Sequence, residues 1–470
     1  QALIPTPLTF VLFPLYFCKW KQLLKGYVMT KATIKSNHMH IDWHDYTGNA
    51  KGKPISEASL FVKAAFIGRV GLMLLSCGTG AWRIRSSMNA LSEQLGITCT
   101  AEIGLTTIVY TCFDGHKTYT NSLCLDNTGV NTNKLDRLER FVEGFSKEGI
   151  NMSAEQLHTM LDKIQHGSVL YTPLKLGSAA AFACAAFTFL LGGGPAEMIC
   201  AFIGAGAGNY LRSKLINKQF TLFLCVVSSV ALSCFAYAVS IRIAEAVFSV
   251  PVGHEAGYIC AMLFIIPGFP FITSGIDLAK LDMRSGLERL AYALMIIIIA
   301  TATGWVMSLL LGLEPEEFPN LVLSPEILLA LRFLAGFVGV FGFSLMFNSP
   351  VKMAASAAVI GAFANTLRLE LVDLLGCHAA VAAFIGSLAA GLLASLMMSR
   401  LGYPRISVTV PSIVIMVPGL YLYRAAYNMG QMALEVSAMW LASALLIILM
   451  LPLGLIFARI ITDKSFRHGA

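Results

Sequence analysis

The chain has 470 residues, 56% hydrophobic and only 13% charged, with a mean hydropathy of +0.70. Soluble globular chains carry about 25% charge, so this composition excludes that class and points to a helical membrane protein crossing the bilayer many times. The net charge of +7 fits Lys- and Arg-rich cytoplasmic loops and needs no nucleic-acid partner, because no basic patch is interleaved with exposed aromatics.

Residues 1–28 are apolar from Ala2 to Cys18 but hold Pro5, Pro7 and Pro14, and their basic residues (Lys19, Lys21, Lys25) follow the apolar part. A signal peptide has the opposite order. Met29 is the first methionine, so the expected start is Met29 with 1–28 a translated upstream extension, the alternative being an amphipathic anchor on the membrane surface. Residues 30–57 read as a polar tail. Its His38, His40, Asp42, His44 and Asp45 are metal-ligand types, but a flexible tail lacks the outer groups that orient ligands. No metal and no cofactor is expected. The eleven cysteines show no CxxC spacing, which suits free thiols in a reducing compartment.

Residues 58–168 read as a small α+β domain. The run from Leu60 to Cys77 is helical and apolar but contains Lys63 and Arg69. Two unpaired charges in hydrocarbon would cost several kcal/mol, roughly, so this helix belongs to a cytosolic core. A second helix runs from about Ala81 to Leu95 and stops at Gly96. Strands are predicted at about 97–103, 106–113 and 116–123, the last two joined at Asp114-Gly115, a strong hairpin signal. In the next helix Leu135, Leu138, Phe141, Val142 and Phe145 share one face. The one after it starts at Ser153, with Gln156 three residues on, a capping box. No GxSxG, P-loop or HExxH occurs anywhere, so no catalytic residue is assigned and the chain is not read as an enzyme. His116 fits a solvated turn residue. The domain is expected to regulate or gate the membrane part.

From Lys175 onward ten spans are predicted, about 174–192, 196–213, 220–247, 256–276, 287–312, 326–347, 351–368, 378–399, 405–424 and 432–459. Two contain a Pro-Gly: Pro267-Gly268-Phe269-Pro270, and Pro418-Gly419. Proline removes a backbone donor and clashes with the preceding turn, so each helix must break there. A broken helix in hydrocarbon is tolerated where its freed groups are buried in protein or line a wet cavity. Gly204 to Gly208, alternating with alanine, fits a small-residue packing stripe rather than a dinucleotide loop.

The halves echo each other. Phe187-Thr188-Phe189-Leu190 with Pro195 matches Phe341-Gly342-Phe343-Ser344 with Pro350, and Asn209 and Arg212 match Asn365 and Arg368. Residues 174–312 and 326–460 are therefore two five-helix repeats, each with its break in the fourth span. Five is odd, so the second enters from the opposite side, an inverted-topology repeat as in many secondary transporters. Thirteen Lys and Arg fall in loops on the α+β domain's side, against Arg242, Arg368 and Arg424 opposite, or four with Arg332. Both termini and the domain are then cytoplasmic.

Gly71 to Gly78, the helix end at Gly96 and Pro267-Gly268-Phe269-Pro270 resemble the N-terminal part of the threonine/serine exporter family. Phe341 through Asn348-Ser349-Pro350 to Pro418-Gly419 is similar to its C-terminal part. The resemblance covers about 60 to 455. It implies export of a small polar metabolite across the bacterial cytoplasmic (inner) membrane, driven by an ion gradient, with a proton the expected coupling ion. Related proteins made of two separate subunits imply the alternative of a dicarboxylate (succinate) exporter. A channel, or a membrane-bound enzyme acting through the soluble domain, is the alternative of another class. The family's acidic residues after the Gly-rich turn are missing from Gly78-Thr79-Gly80-Ala81-Trp82-Arg83, so no role is assigned to such acids here.

The expected substrate site combines the backbone at Pro267, Gly268, Phe269, Pro418 and Gly419 with Thr273, Ser274 and Asp277 in the first half and Tyr421, Tyr423, Arg424 and Asn428 in the second. Asn209 and Asn365 are secondary candidates. Asp277 and Asn428 each lie ten residues after their proline, and Asp277 fits either ion coupling or a cap on the next loop. Arg212 and Arg368 are read as snorkelling anchors. A zwitterion needs both a cation and an anion, and Arg424 with Asp277 would supply them. The lipid bilayer, the substrate and the coupling ion are the expected partners, with a homo-oligomer allowed.

Overall fold

The computed structural model describes residues 41–47, 52–248, 256–315 and 323–467. The proposed start at Met29, and His38 and His40 of the tail, lie outside the described residues. Every element below belongs to the compact unit Asp42–Ala470.

The α+β domain contains α1 (Leu60–Leu75), α2 (Ala81–Gln94), β1 (Thr98–Ile103), β2 (Thr107–Phe113), β3 (Thr118–Cys124), α3 (Thr132–Gly144) and α4 (Ala154–His166). The strands form an antiparallel sheet in the order β1-β2-β3, within a residue or two of the bounds read from sequence. Asp114 makes the hairpin by accepting from the N–H groups of His116 and Lys117 at 2.9 and 2.7 Å, and Gly115 takes φ +94, which L side chains resist. Helix α1 lies on the sheet. The Tyr110 hydroxyl donates to the Ala64 carbonyl at 3.0 Å, and a Cβ at Gly68 would sit 2.3 Å from that hydroxyl. The charges inside α1 are satisfied: Lys63 donates to the Leu95 carbonyl at 3.0 Å, and buried Arg69 binds Asp162 and the His158 ring and carbonyl. Ser153 and Gln156 form the expected capping box.

The ordered domain begins earlier than 58. A 3-10 helix at Trp43–Thr47 stacks Trp43 on His158 with centroids 6.3 Å apart, and His44 meets Asp162 at 2.8 Å. Ile55 is fully buried. These aromatic and apolar side chains gain more by docking than a polar tail would.

The membrane part follows: α5 (Pro173–Leu190), α6 (Pro195–Asn217), α7 (Leu222–Phe248), α8 (Gly257–Ala261) with a 3-10 turn at Leu263–Ile265, α9 (Gly268–Ala279), α10 (Met283–Leu311), α11 (Pro325–Met346), α12 (Val351–Leu375), α13 (Ala379–Leu401), α14 (Arg405–Val414), α15 (Gly419–Gly430) and α16 (Leu434–Thr462). Six of these helices (α5, α7, α10, α11, α13, α16) are long and apolar enough to span, and the count reaches eight when each bent pair is one span. The bends are 57° between Gly257–Ile265 and α9, and 49° between α14 and α15. Helices α6 and α12 have 23 and 25 residues but carry Glu197, Arg212 and Lys214, and Lys352, Arg368, Glu370 and Asp373, which lowers their hydropathy. The glycine stripe on α6 packs: a Cβ at Gly204 or Gly208 would meet the Ser233 or Ser229 carbonyl at 2.8 Å.

Candidate functional site

The two Pro-Gly breaks have nearly identical backbones. Pro267 caps α9 with φ −81, ψ 59 and Pro418 caps α15 with φ −81, ψ 58. In each, the glycine N–H turns back to the carbonyl two residues earlier, at 2.8 Å for both Gly268 to Ile266 and Gly419 to Val417. The next bond runs from Phe271 to Pro267 and from Leu422 to Pro418, at 3.2 and 3.1 Å. Proline 270 has no N–H, so Phe269 supplies the uncommitted donor of the first turn of α9. The second break keeps two, on Leu420 and Tyr421.

The breaks touch. A Cβ at Gly268 would lie 3.2 Å from Val417 Cγ2 and 3.3 Å from Val414 Cγ1, and one at Gly419 would lie 1.9 Å from Ile266 Cδ1. Glycine at each break leaves room for the side chains of the other. Their surroundings differ sharply. The first break lines a cavity of about 610 Å³ between the membrane part and the Asp126–Asn131 loop of the α+β domain. The second faces a void of about 10 Å³ bounded by Met262, Ile266 and Tyr423.

Pro267, Gly268, Phe269 and Asn209 all line the large cavity, as do Arg212, Arg289 and Tyr292. The Asn209 amide is held by the Leu176 carbonyl at 2.7 Å. Arg212, one turn further along α6, has a buried Nε with no hydrogen-bond partner, and no carboxylate pairs with it among the described residues. Arg289 is committed elsewhere: it lies 3.2 Å from Asp277 Oδ2 and donates to the Gly78 and Thr79 carbonyls at 3.1 and 2.7 Å.

The other expected site residues sit apart from this cavity. The Thr273 hydroxyl donates to the Phe269 carbonyl at 3.0 Å, and Ser274 donates to the Gly286 carbonyl at 2.8 Å, tying α9 to α10. Asp277 is fully buried at the joint with the α+β domain, accepting from the Ala81 N–H at 3.0 Å and the Ser285 hydroxyl at 2.8 Å. Tyr421 packs edge-on to Trp440, and Arg424 lies over the same ring at 4.8 Å. The Asn428 amide donates to the Arg424 carbonyl at 2.8 Å. Asn365 is buried and accepts from Arg368 Nε at 3.1 Å. The Tyr423 hydroxyl pairs with that of Tyr258 at 2.6 Å, away from the large cavity.

A family model described as "Putative threonine/serine exporter" matches residues 65–312, more than half of the chain. A second, described as "Threonine/Serine exporter, ThrE", matches 332–461. The chain belongs to the threonine/serine exporter family. Comparison with curated proteins and with solved structures found no match.

In this exporter-family chain the N-terminal and C-terminal parts are one polypeptide, and the large cavity belongs mainly to the first part. Sequence reasoning passed over two of its arginines. Arg212 looked like an interfacial anchor, yet its spacing of three from Asn209 puts both on one helical face, which was the available signal. Arg289 had no local signal, since its carbonyl partners lie 211 and 210 residues away. A carboxylate from another element meets the helix that follows the Gly78 turn. Asp277, from α9, occupies the N-terminus of α2, where a carboxylate is favoured.

Proposed function

We propose that the protein is a secondary active exporter of small polar metabolites, threonine- and serine-type amino acids first among them. Its membrane part is read as ten spans in two inverted five-helix repeats in the bacterial cytoplasmic membrane, with both termini and the α+β domain cytoplasmic. The equal lengths of α9 and α15, 12 residues each, and of α10 and α16, 29 each, and the matching Pro267 and Pro418 dihedrals support that reading.

The observation that carries the function is Arg212: an uncommitted guanidinium in a cavity of about 610 Å³ bounded by the first helix break. A carboxylate bound there would take charge-assisted hydrogen bonds from Arg212 and the Phe269 N–H at the positive end of α9. The cavity lies on the domain's side while the second break is closed, which fits an inward-facing state of an alternating-access cycle coupled to protons.

The test is counterflow in proteoliposomes with labelled threonine, serine and succinate. Counterflow of threonine or serine supports the proposal. Counterflow of succinate alone selects the dicarboxylate exporter, and absence of counterflow with downhill flux selects a channel.

A further inference from the structure

A second, smaller pocket of about 50 Å³ lies where the ends of α9, α14 and α16 meet the α+β domain. It is separate from the large cavity and independent of the exporter reading. Its walls bring together three arginines from distant parts of the chain: Arg83 on α2, Arg405 at the start of α14 and Arg459 near the end of α16. The wall also holds Asp277 and is otherwise largely apolar, with Ile406, Leu455 and Ile456.

Three like charges around one pocket repel unless something neutralises them. The carboxylates nearby are already engaged. Glu139 binds Arg83 at 2.5 Å, Asp463 lies 3.3 Å from Arg459, and Asp277 holds Arg289. Arg405 makes no direct carboxylate contact among the described residues, and Asp463 acts on it only at longer range. It donates to two neutral oxygens, Thr462 Oγ1 at 2.9 Å and the Gly391 carbonyl at 3.2 Å. Lys280 adds another cation close by, 3.9 Å from the centre of the Phe466 ring that also lines the pocket. The pocket therefore carries surplus positive charge at the level where membrane helices end. An apolar wall runs down the helices from it. Trp82, which lies under Arg459 at 4.5 Å, suits that interfacial depth.

We propose that this pocket binds a phosphate-bearing anion through Arg405, Arg459 and Arg83, the headgroup of an anionic phospholipid being the source that also uses the apolar wall. Basic pockets between membrane helices recognise such headgroups, and guanidinium groups fit phosphate oxygens in pairs. Bound there, the anion would join α14 and α16 to the domain by bridging Arg83.

The experiment uses the full-length protein purified in neutral detergent. Thermal melting is followed while phosphatidylglycerol, phosphatidylcholine or inorganic phosphate is titrated in. Phosphatidylglycerol is expected to raise the melting temperature saturably, and Arg405→Gln and Arg459→Gln should each weaken its apparent affinity about five-fold. Arg405→Lys keeps the charge but loses the paired donors and should bind between the wild type and Arg405→Gln, which separates loss of the site from loss of the fold. Arg284→Gln removes an exposed arginine outside the pocket and should change nothing. Equal stabilisation by inorganic phosphate, lost in the same variants, assigns the pocket to a free anion and still supports the site. Stabilisation by none of the three, or an equal loss in Arg284→Gln, overturns the proposal.

Discussion

Asp277 and Arg289 face each other at 3.2 Å, and both also grip the main chain of the α+β domain, through Ala81 N–H and the Gly78 and Thr79 carbonyls. The pair is buried, with Asp277 at 0% and Arg289 at 2% exposure. Removing one partner of a buried ion pair costs about 3–5 kcal/mol, because it strands the other charge. Asp277→Asn should therefore lower the melting temperature of the purified protein markedly. The double variant Asp277→Asn with Arg289→Gln should lose less than the sum of the singles. If Asp277→Asn melts like the wild type but transports without pH dependence, Asp277 is the coupling group and not a structural joint.

The contact between the breaks is unequal, and substitution should reveal it. A methyl at Gly419 would overlap Ile266 Cδ1 at 1.9 Å, whereas one at Gly268 meets Val417 and Val414 at 3.2 and 3.3 Å. Gly419→Ala is expected to reduce counterflow at normal expression by forcing Ile266 aside, and Gly268→Ala to reduce it less. Adding Ile266→Ala to Gly419→Ala should restore part of the activity by making room. Undiminished transport by Gly419→Ala would mean that the crossing point tolerates separation.

Arg212→Gln should raise the substrate concentration for half-maximal transport about ten- to a hundred-fold, the worth of a hydrogen bond to a charged group. Arg368, its counterpart in the second half, bonds Asn365 and lines no described cavity, so Arg368→Gln should act on stability and not on half-saturation. Equal shifts in both variants would argue against a single carboxylate anchor on α6.

His158 makes the α+β domain acid-sensitive. Burial, helped by the Arg69 guanidinium, pushes its imidazole from 6.5 down to about 4. The unfolded chain then binds more protons between those values, so stability is full above pH 6.5 and falls as pH drops toward 4. The ceiling on that loss is roughly 3 kcal/mol. His158→Gln, which can still accept from Arg69, should flatten melting temperature against pH in that window. An unchanged slope would place the acid sensitivity elsewhere.

The elements set by local chemistry were legible in the sequence. Asp114-Gly115 marked the hairpin, Ser153 with Gln156 marked the start of α4, and the prolines at 267 and 418 marked both breaks, because each depends on residues within one turn. Of the expected site residues, Pro267, Gly268, Phe269 and Asn209 line the large cavity, the first three because the break itself places them there. Thr273 donates its hydroxyl to Phe269 on its own helix, an option open to any such residue on a helix, whereas Ser274 donates across to Gly286 of α10, a partner that spacing does not reveal. Arg289 could not be placed, since its partners are fixed by docking of the domain and not by spacing. Helices α6 and α12 fall outside the span count because the charges they carry lower their hydropathy, and Lys214, Lys352 and Asp373 stay exposed.

The two family matches end at 312 and resume at 332, yet the residues either side of that gap are joined by far more than the chain. Ile266 sits over Gly419, the Tyr258 hydroxyl bonds that of Tyr423, and Thr132 bonds Ser349 at 2.8 Å. The covalent link between α10 and α11 adds proximity to these contacts, equivalent to a local concentration on the order of millimolar for a short tether. Severing the polypeptide there leaves these three contacts in place. Two fragments made in the same cell should find each other and reassemble as a heterodimer, with the crossing of the two breaks turned from an internal fold contact into a subunit interface.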